Sequence, residues 1–539
     1  MSTRLPALFS VFLVSALLTR AGLAGASESE PPTPERPAPL PRSAPPASTP
    51  SEPRVWTSAI DLRDPAIAAV DERTVWRERI TARLDALARD RGPAASVHVH
   101  AELQARVDAI AAKLPRSASV AIEVRDLDRG HTLASLDRDR ALAPASTHKL
   151  ITAIAAVELL GPDYRFATRV LRSGDTLILR GEGDPDLQLD DLHALVDAVV
   201  AGGHAEGVRR ILVDDGVFSP EHFGPGFDSE GPGDSFRAPS DALALHWSTV
   251  VVTVRPTELG EPVEVDVSPA SPFVVVDARA HTGSGALHID TQVGPEGTTI
   301  VSVRGALPVG HAPTSLRRRV IDPGLVAAGA FARLLGERLG EPEFAPIVER
   351  GATPRDAQAI ALHESEPLVA VLASALQWSN NFTAEQILRT LAWRASGEPG
   401  DWTHGVDVLE RFAAALSPEQ AAHARFVNGS GLTREGRATP ALLVDVLALG
   451  EREGSPAALL RASMASAGEG TLHNRVPGAG DRLQAKTGTY AGASALAGLV
   501  HDGAGRRTLG FAVLVNGGSG DDNRALQDEL ASTLLKAIE

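Results

Sequence analysis

The spacing of apolar residues changes character several times along the chain. From about Glu72 to Arg91, and again from about Ala101 to Leu114, the pattern predicts two helices. The period then drops to two. In "SVAIEVRDL", Val120, Ile122 and Val124 share one strand face, Asp128-Arg129-Gly130 makes a turn, and "HTLASL" returns as a second strand. "STHKLITAIAAVELLGPD" is apolar on nearly every side and stops at Gly161-Pro162. It predicts a helix buried in a domain centre, with Ser146 at its start.

From about residue 170 to 320 short β-like runs take over, among them "TLILRG", "RRILVDD", "TVVVTVRP", "PFVVVDA" and "TTIVSVRG", separated by Gly/Pro turns. This stretch predicts an inserted, mainly β region of one or two small domains. Helical spacing resumes at "DPGLVAAGAFARLLGERLG" and runs through "PLVAVLASALQWSNNFTAEQILRTLAWRA". "RLQAKTGTY", "ASALAGLVHD" and "RRTLGFAVLVNG" then predict three antiparallel strands, and a helix over 523–538 closes the chain. No internal repeat is visible.

At 539 residues, with 43% apolar and 22% charged residues, the chain has the balance of a soluble protein of several domains. A net charge of −16 argues against binding nucleic acid or an anionic membrane surface. The N-terminus reads as an export signal. Arg4 precedes an apolar run too short for a secure membrane span, and Ala24-x-Ala26 is a plausible cleavage site. Residues 27–54, dense in Pro, Ser and Ala, read as an extended disordered spacer. A cleaved signal over 1–26 implies a periplasmic or secreted protein with no membrane span after cleavage. The absence of cysteine excludes thiol catalysis and Cys-based metal sites.

Of 52 basic residues only four are lysine, at positions 113, 149, 486 and 536. One of them, Lys149, lies three residues after Ser146 on the same helix face. A serine hydroxyl becomes a nucleophile when an adjacent base takes its proton. Lysine can be that base if burial or positive charge lowers its pKa; arginine stays protonated. Alone, S-x-x-K is a weak signal that also fits a solvated lysine near a helix N-terminus. Ser379-Asn380-Asn381 fits S-x-N, which offers a hydroxyl for proton relay and an amide for a substrate carbonyl, and equally fits an N-cap before a helix near Thr383. Lys486-Thr487-Gly488 adds a cation for a carboxylate on a strand where glycine permits close approach, with Thr487 and Thr489 as hydroxyl donors. Its bland reading is an exposed strand edge. In this order, the three motifs are the active-site set of penicillin-binding proteins and serine β-lactamases.

From about Val120 onward the chain resembles the class C low-molecular-mass penicillin-binding proteins, the D-alanyl-D-alanine carboxypeptidase/endopeptidases. The resemblance rests on "LAPASTHKLITAIAAVELLGPDYRFAT", "LRGEGDPDL", "HESEPLVAVLASALQWSNN", "VNGSGLTREGRATP", "GEGTLHNRV" and "LQAKTGTYAGASALAG". The long gap between Ser146 and Ser379 is its most specific mark. The resemblance implies an α/β (α+β) transpeptidase-like domain with a central antiparallel sheet flanked by helices, over 55–170 and 321–539. Mainly β domains over 171–320 would interrupt it. Asn380 and Asn428 stand where many relatives carry Asp, and 55–115 has no counterpart in the resemblance.

The reaction implied is acyl transfer on peptidoglycan stem peptides ending in D-Ala-D-Ala, with β-lactam antibiotics acylating the same serine. Ser146 would attack, Lys149 take its proton, Ser379 relay a proton to the leaving amine and Asn381 hold the peptide. Lys486, Thr487 and Thr489 would bind the terminal carboxylate, next to Gly488. Backbone N–H groups of Ser146 and Thr489 would form the oxyanion hole. No metal or organic cofactor is implied. The rivals are a serine β-lactamase and an inactive wall-binding scaffold; the latter would have lost motif residues, and none is missing here. A Ser-His-Asp hydrolase fits poorly, because no G-x-S-x-G elbow occurs. His148 reads as packing or surface, and His98-x-His100 as a loop or strand pair rather than a metal site. Oligomeric state is not legible.

Overall fold

A computed structural model describes residues 65–92, 95–227, 233–341 and 343–539, with side chains from residue 72 onward. The chain divides into compact units Met1–Glu52 and Pro53–Glu539, and the first lies wholly outside the described residues. The expected signal peptide and Pro-rich spacer therefore also lie outside them. No described helix is long and apolar enough to cross a membrane.

The period-two segments build one seven-stranded sheet. Its order is Ser96–Val97, His131–Leu136, Ser119–Asp126, Thr508–Asn516, Ala493–His501, Leu483–Tyr490 and Ala465–Ser466. Only the Ser96–Val97 pairing is parallel; the rest of the sheet is antiparallel. Alternation sends successive side chains to opposite faces. Ala495, Ala497, Leu499, Ala512 and Leu514 pack with the helix Lys149–Leu160 and its neighbours on one face. Leu496, Val500, Phe511, Val513 and Val515 pack on the other against the helices Ala101–Ala111 and Gly520–Ala537. The central strands Ala493–His501 and Thr508–Asn516 carry apolar residues on both faces because helices cover both. The result is the expected three-layer α/β arrangement.

The helix Lys149–Leu160 is buried along its whole length, as its all-round apolarity predicts. Its back is covered in part by the helix Pro65–Arg89, through Ile80, Leu84 and Leu87. Arg83 pairs with the fully buried carboxylate of Glu158 on the helix Lys149–Leu160. Nearby, the Arg394 guanidinium lies 3.8 Å from the Trp393 ring and 5.3 Å from Trp76, and donates to the Tyr164 hydroxyl and Glu72.

The inserted region forms three sheets. The largest runs Ile347–Arg350, Arg210–Asp214, Thr176–Gly181, Ala167–Ser173 and Gln358–Glu364, with the helices Leu189–Ala201 and Pro323–Leu339 against it. The expected limits at 171 and 320 cut through this sheet. Gln358–Glu364 pairs antiparallel with Ala167–Ser173, and the helix Pro323–Leu339 packs on the inserted sheet. Short strands that pair across nearly 200 residues leave no local mark at the boundary. The other two sheets, one built on Thr249–Arg255 and one on Thr299–Leu307, share a valine-rich core.

The stretch expected to be helical through "PLVAVLASALQWSNNFTAEQIL" is two helices, Leu368–Gln377 and Asn381–Ser396. The break falls at Trp378–Asn380, where Ser379 takes φ +61° and Asn380 caps the second helix by accepting from Thr383 N–H.

Candidate active site

Ser146 sits not in the first α-helical turn but on a 3₁₀ turn, Ala145–His148, feeding the helix. Ala145 takes φ +46°, a conformation costly for a residue with a Cβ. Four contacts hold the turn in place. Thr147 Oγ1 donates to Pro144 O at 2.6 Å, and Asn516 Oδ1 accepts from Ala143 N at 2.9 Å. Two glycines press on its backbone. A Cβ on Gly488 would lie 2.9 Å from both Pro144 O and Ser146 N, and one on Gly431 only 2.1 Å from Ala145 O. Gly488 therefore admits the backbone of the turn that carries Ser146, where the sequence suggested the approach of a ligand.

Lys149 is the first residue of the α-helix and is buried. Its Nζ donates to Ser146 Oγ at 3.0 Å, Asn381 Oδ1 at 2.6 Å and the Ser430 carbonyl at 2.9 Å. Burial disfavours the ammonium and pulls its pKa down to about 7, with the charge of Glu385 opposing the fall. A neutral amine beside a serine hydroxyl can accept its proton. Acylation of Ser146 is expected to lose about tenfold in rate per pH unit below about 7 and to level off above it. Stopped-flow acylation by a fluorescent penicillin checks this; a rate flat from pH 5 to 8 would contradict it.

Lys486 is likewise buried, on the strand Leu483–Tyr490, and donates to Thr487 O at 2.8 Å. Desolvation, then the charge of Lys149, push its pKa well below the ordinary lysine value. Thr487 is half-buried and Thr489 exposed, on the strand that packs on the nucleophile turn. Asn381 donates through Nδ2 to Phe236 O at 2.8 Å, which leaves one amide N–H for a ligand. Ser379 is half-buried and makes no hydrogen bond to Ser146, Lys149 or Asn381 among the described residues. Ser146 and Asn381 each contact Lys149 directly, Gly488 abuts the turn Ala145–His148, and the charge of Lys149 reaches Lys486.

Sequence reasoning gave no role to two further groups. The Ser430 carbonyl is an acceptor for Lys149. Glu385 accepts from Gly429 N, Ser430 N and Trp402 Nε1. The Gly-Ser-Gly turn was a visible cue to the first, and the four-residue spacing from Asn381 to the second.

Among the described residues, Asp215, His222 and Asp241 lie close enough to share a cation. The Arg350 guanidinium already supplies their counter-charge, bonding Asp215 and Asp241 together with Asp322. His100 caps the helix Ala101–Ala111, His98 stacks on His131, and His148 packs on Phe426.

The D-Ala-D-Ala carboxypeptidase 3 (S13) family model matches residues 103–537. The chain belongs to this family. It is 34% identical to a D-alanyl-D-alanine carboxypeptidase of Actinomadura sp., over 80% of this chain and 84% of that protein. It is 25% identical to the D-alanyl-D-alanine carboxypeptidase DacB of Haemophilus influenzae, over 76% and 88% of the two chains. The crystal structure of penicillin binding protein 4 (dacB) from Haemophilus influenzae superposes with a TM-score of 0.69 at 24% identity. It covers 80% of this chain and 99% of that one, and shares the fold. As an S13 enzyme the chain is a serine-type D-Ala-D-Ala carboxypeptidase, a hydrolase.

Proposed function

We propose that this S13 enzyme cleaves D-Ala-D-Ala and related D-centre cross-links of peptidoglycan stem peptides through an acyl-enzyme on Ser146. The observation that carries the reading is the 3.0 Å contact between Ser146 Oγ and the buried, pKa-lowered amine of Lys149. Ser146 Oγ attacks the carbonyl carbon of the penultimate D-alanine as its proton passes to Lys149 Nζ. The carbonyl π bond opens to an oxyanion, received by the backbone N–H groups of Ser146 and Thr489. When the C–N bond breaks, Lys149 returns the proton to the departing amine by way of the Ser379 hydroxyl. The remaining N–H of Asn381 receives the peptide carbonyl. Lys486, Thr487 and Thr489 receive the terminal carboxylate, and that anion favours the protonated form of Lys486. Water then attacks the ester carbonyl as Lys149 takes its proton; the acyl C–Oγ bond breaks and that proton passes from Lys149 to Ser146 Oγ, which restores the hydroxyl and the neutral amine. β-Lactams acylate the same serine. We further propose an exported, cell-wall location, in keeping with the apolar N-terminus and the substrate.

Purified cross-linked and uncross-linked muropeptides, with products weighed by mass spectrometry, test the reading. D-alanine release together with cross-bridge cleavage is the expected result. Labelled penicillin is expected to attach to the wild type and not to Ser146→Ala. Attachment to both, or turnover of the penicilloyl adduct at many per second, would overturn it.

A further inference from the structure

Glu385 sits one helical turn beyond Asn381, so both side chains leave the helix Asn381–Ser396 on the same face. It is 1% exposed, inside the core behind the nucleophile helix. Oε1 accepts from Ser430 N at 2.8 Å; Oε2 accepts from Gly429 N at 3.1 Å and from Trp402 Nε1 at 2.9 Å. Each of these partners can only donate. A protonated carboxyl would turn an O–H towards them, so these donors favour the carboxylate ion against the burial that raises its pKa.

The two N–H groups it holds flank the peptide whose next carbonyl, that of Ser430, accepts from Lys149 Nζ. Thr152 Oγ1 fixes the preceding carbonyl, Gly429 O, at 2.7 Å. One helix face thus sets two of the three acceptors around the lysine: Asn381 directly, and Ser430 by way of Glu385. The other titratable groups facing Lys149 are Lys486, across from it on the strand Leu483–Tyr490, and His148, its neighbour in the chain. His148 is held neutral near physiological pH, its pKa pushed down to about 4 by burial. Glu385 is the negative charge that acts on Lys149 from behind.

We propose that Glu385 is a positioning residue for acylation: its carboxylate fixes the Ser430 carbonyl against Lys149 and places a buried negative charge behind the base. The inference rests on Lys149 being that base. Without the charge, the ammonium form of Lys149 loses the one anion that acts on it among the described residues. The amine then sheds its proton at lower pH and becomes a weaker base.

The scarcity of lysine makes the test direct. Protein grown on ¹⁵N-labelled lysine carries few labelled amines, and Lys149→Met assigns the one that matters. In Glu385→Gln the Lys149 titration midpoint, and with it the acid limb of penicillin acylation, is expected to fall by about one pH unit or more. The plateau rate is expected to drop as well, because the amide sets an N–H against one of the donors. Trp402→Phe removes one donor and keeps the charge, so it should lower the plateau and leave the midpoint in place. If Glu385→Gln does not fold, Glu385→Asp replaces it, with a smaller downward shift expected as the charge recedes by one methylene. A midpoint equal to wild type in every folded Glu385 variant would overturn the proposal. A wild-type Lys149 that does not titrate near pH 7 would instead overturn its role as the base.

Discussion

Replacing Lys149 by methionine is expected to cut the rate of penicillin acylation by on the order of 10³-fold while the protein still folds. The variant keeps the length of the side chain and deletes its amine, so Ser146 is left beside no group able to take its proton. The measurement is the second-order rate of labelling at pH 8; a loss smaller than about tenfold would refute the assignment. A stability signature should accompany the kinetic one. The unfolded chain keeps a proton on Lys149 up to the ordinary value of 10.5, whereas the folded site sheds it near 7. Between those limits the unfolded state binds more protons, so the lysine makes stability rise with pH across that window. Below about 7 both states are protonated and the cost of burying the ammonium is constant. Denaturant midpoints from pH 6.5 to 10 should therefore rise less steeply in Lys149→Met than in wild type. Lysine retained by an arginine-rich chain at this position is explained by the same property. Lys149→Arg is expected to lose acylation as completely, since a guanidinium does not shed its proton.

The second large effect is structural. Gly431→Ala is expected to lower stability by about 2–4 kcal/mol and to remove most acylation. Gly431 holds φ +76°, and an added Cβ would meet Ala145 O at 2.1 Å and His148 Cβ at 2.8 Å. Neither neighbour can swing aside: one is backbone of the nucleophile turn, the other the root of a buried ring. Gly454, at φ +75° with open space around it, is the control. Alanine there should cost about 1 kcal/mol with full activity. Thermal unfolding and penicillin labelling measured on both variants would separate clash from backbone preference. Equal losses in the two would show that packing on the nucleophile turn is not what Gly431 supplies.

Local pattern revealed much of this architecture. The strand pair after Ser119, the wholly apolar helix Lys149–Leu160 and the final three strands each follow from periodicity within one segment. Ser146, Lys149 and Asn381 were legible because their chemistry depends on residue type and short spacing, and the fold brings them into contact. What stayed hidden depends on contacts distant in sequence. An N-cap before a helix near Thr383 was legible, but not the positive φ of Ser379 that precedes it. The edge of the inserted sheet is set by pairing between 167–173 and 358–364. Glu385 looked like an ordinary helix residue because its partners, Gly429, Ser430 and Trp402, lie elsewhere in the chain.

The helix Pro65–Arg89 precedes the segment that matches the family, yet it supplies Ile80, Leu84 and Leu87 to the core behind Ser146. It also brings Arg83 to Glu158, a carboxylate with no exposed surface on the nucleophile helix itself. The start of the family match and the start of the buried core therefore differ in this enzyme. The match begins at residue 103, but the packing that buries the helix Lys149–Leu160 extends into residues before it. A protein trimmed to residues 103–537 would keep Ser146, Lys149, Asn381 and Lys486 and still uncover the helix that begins at Lys149.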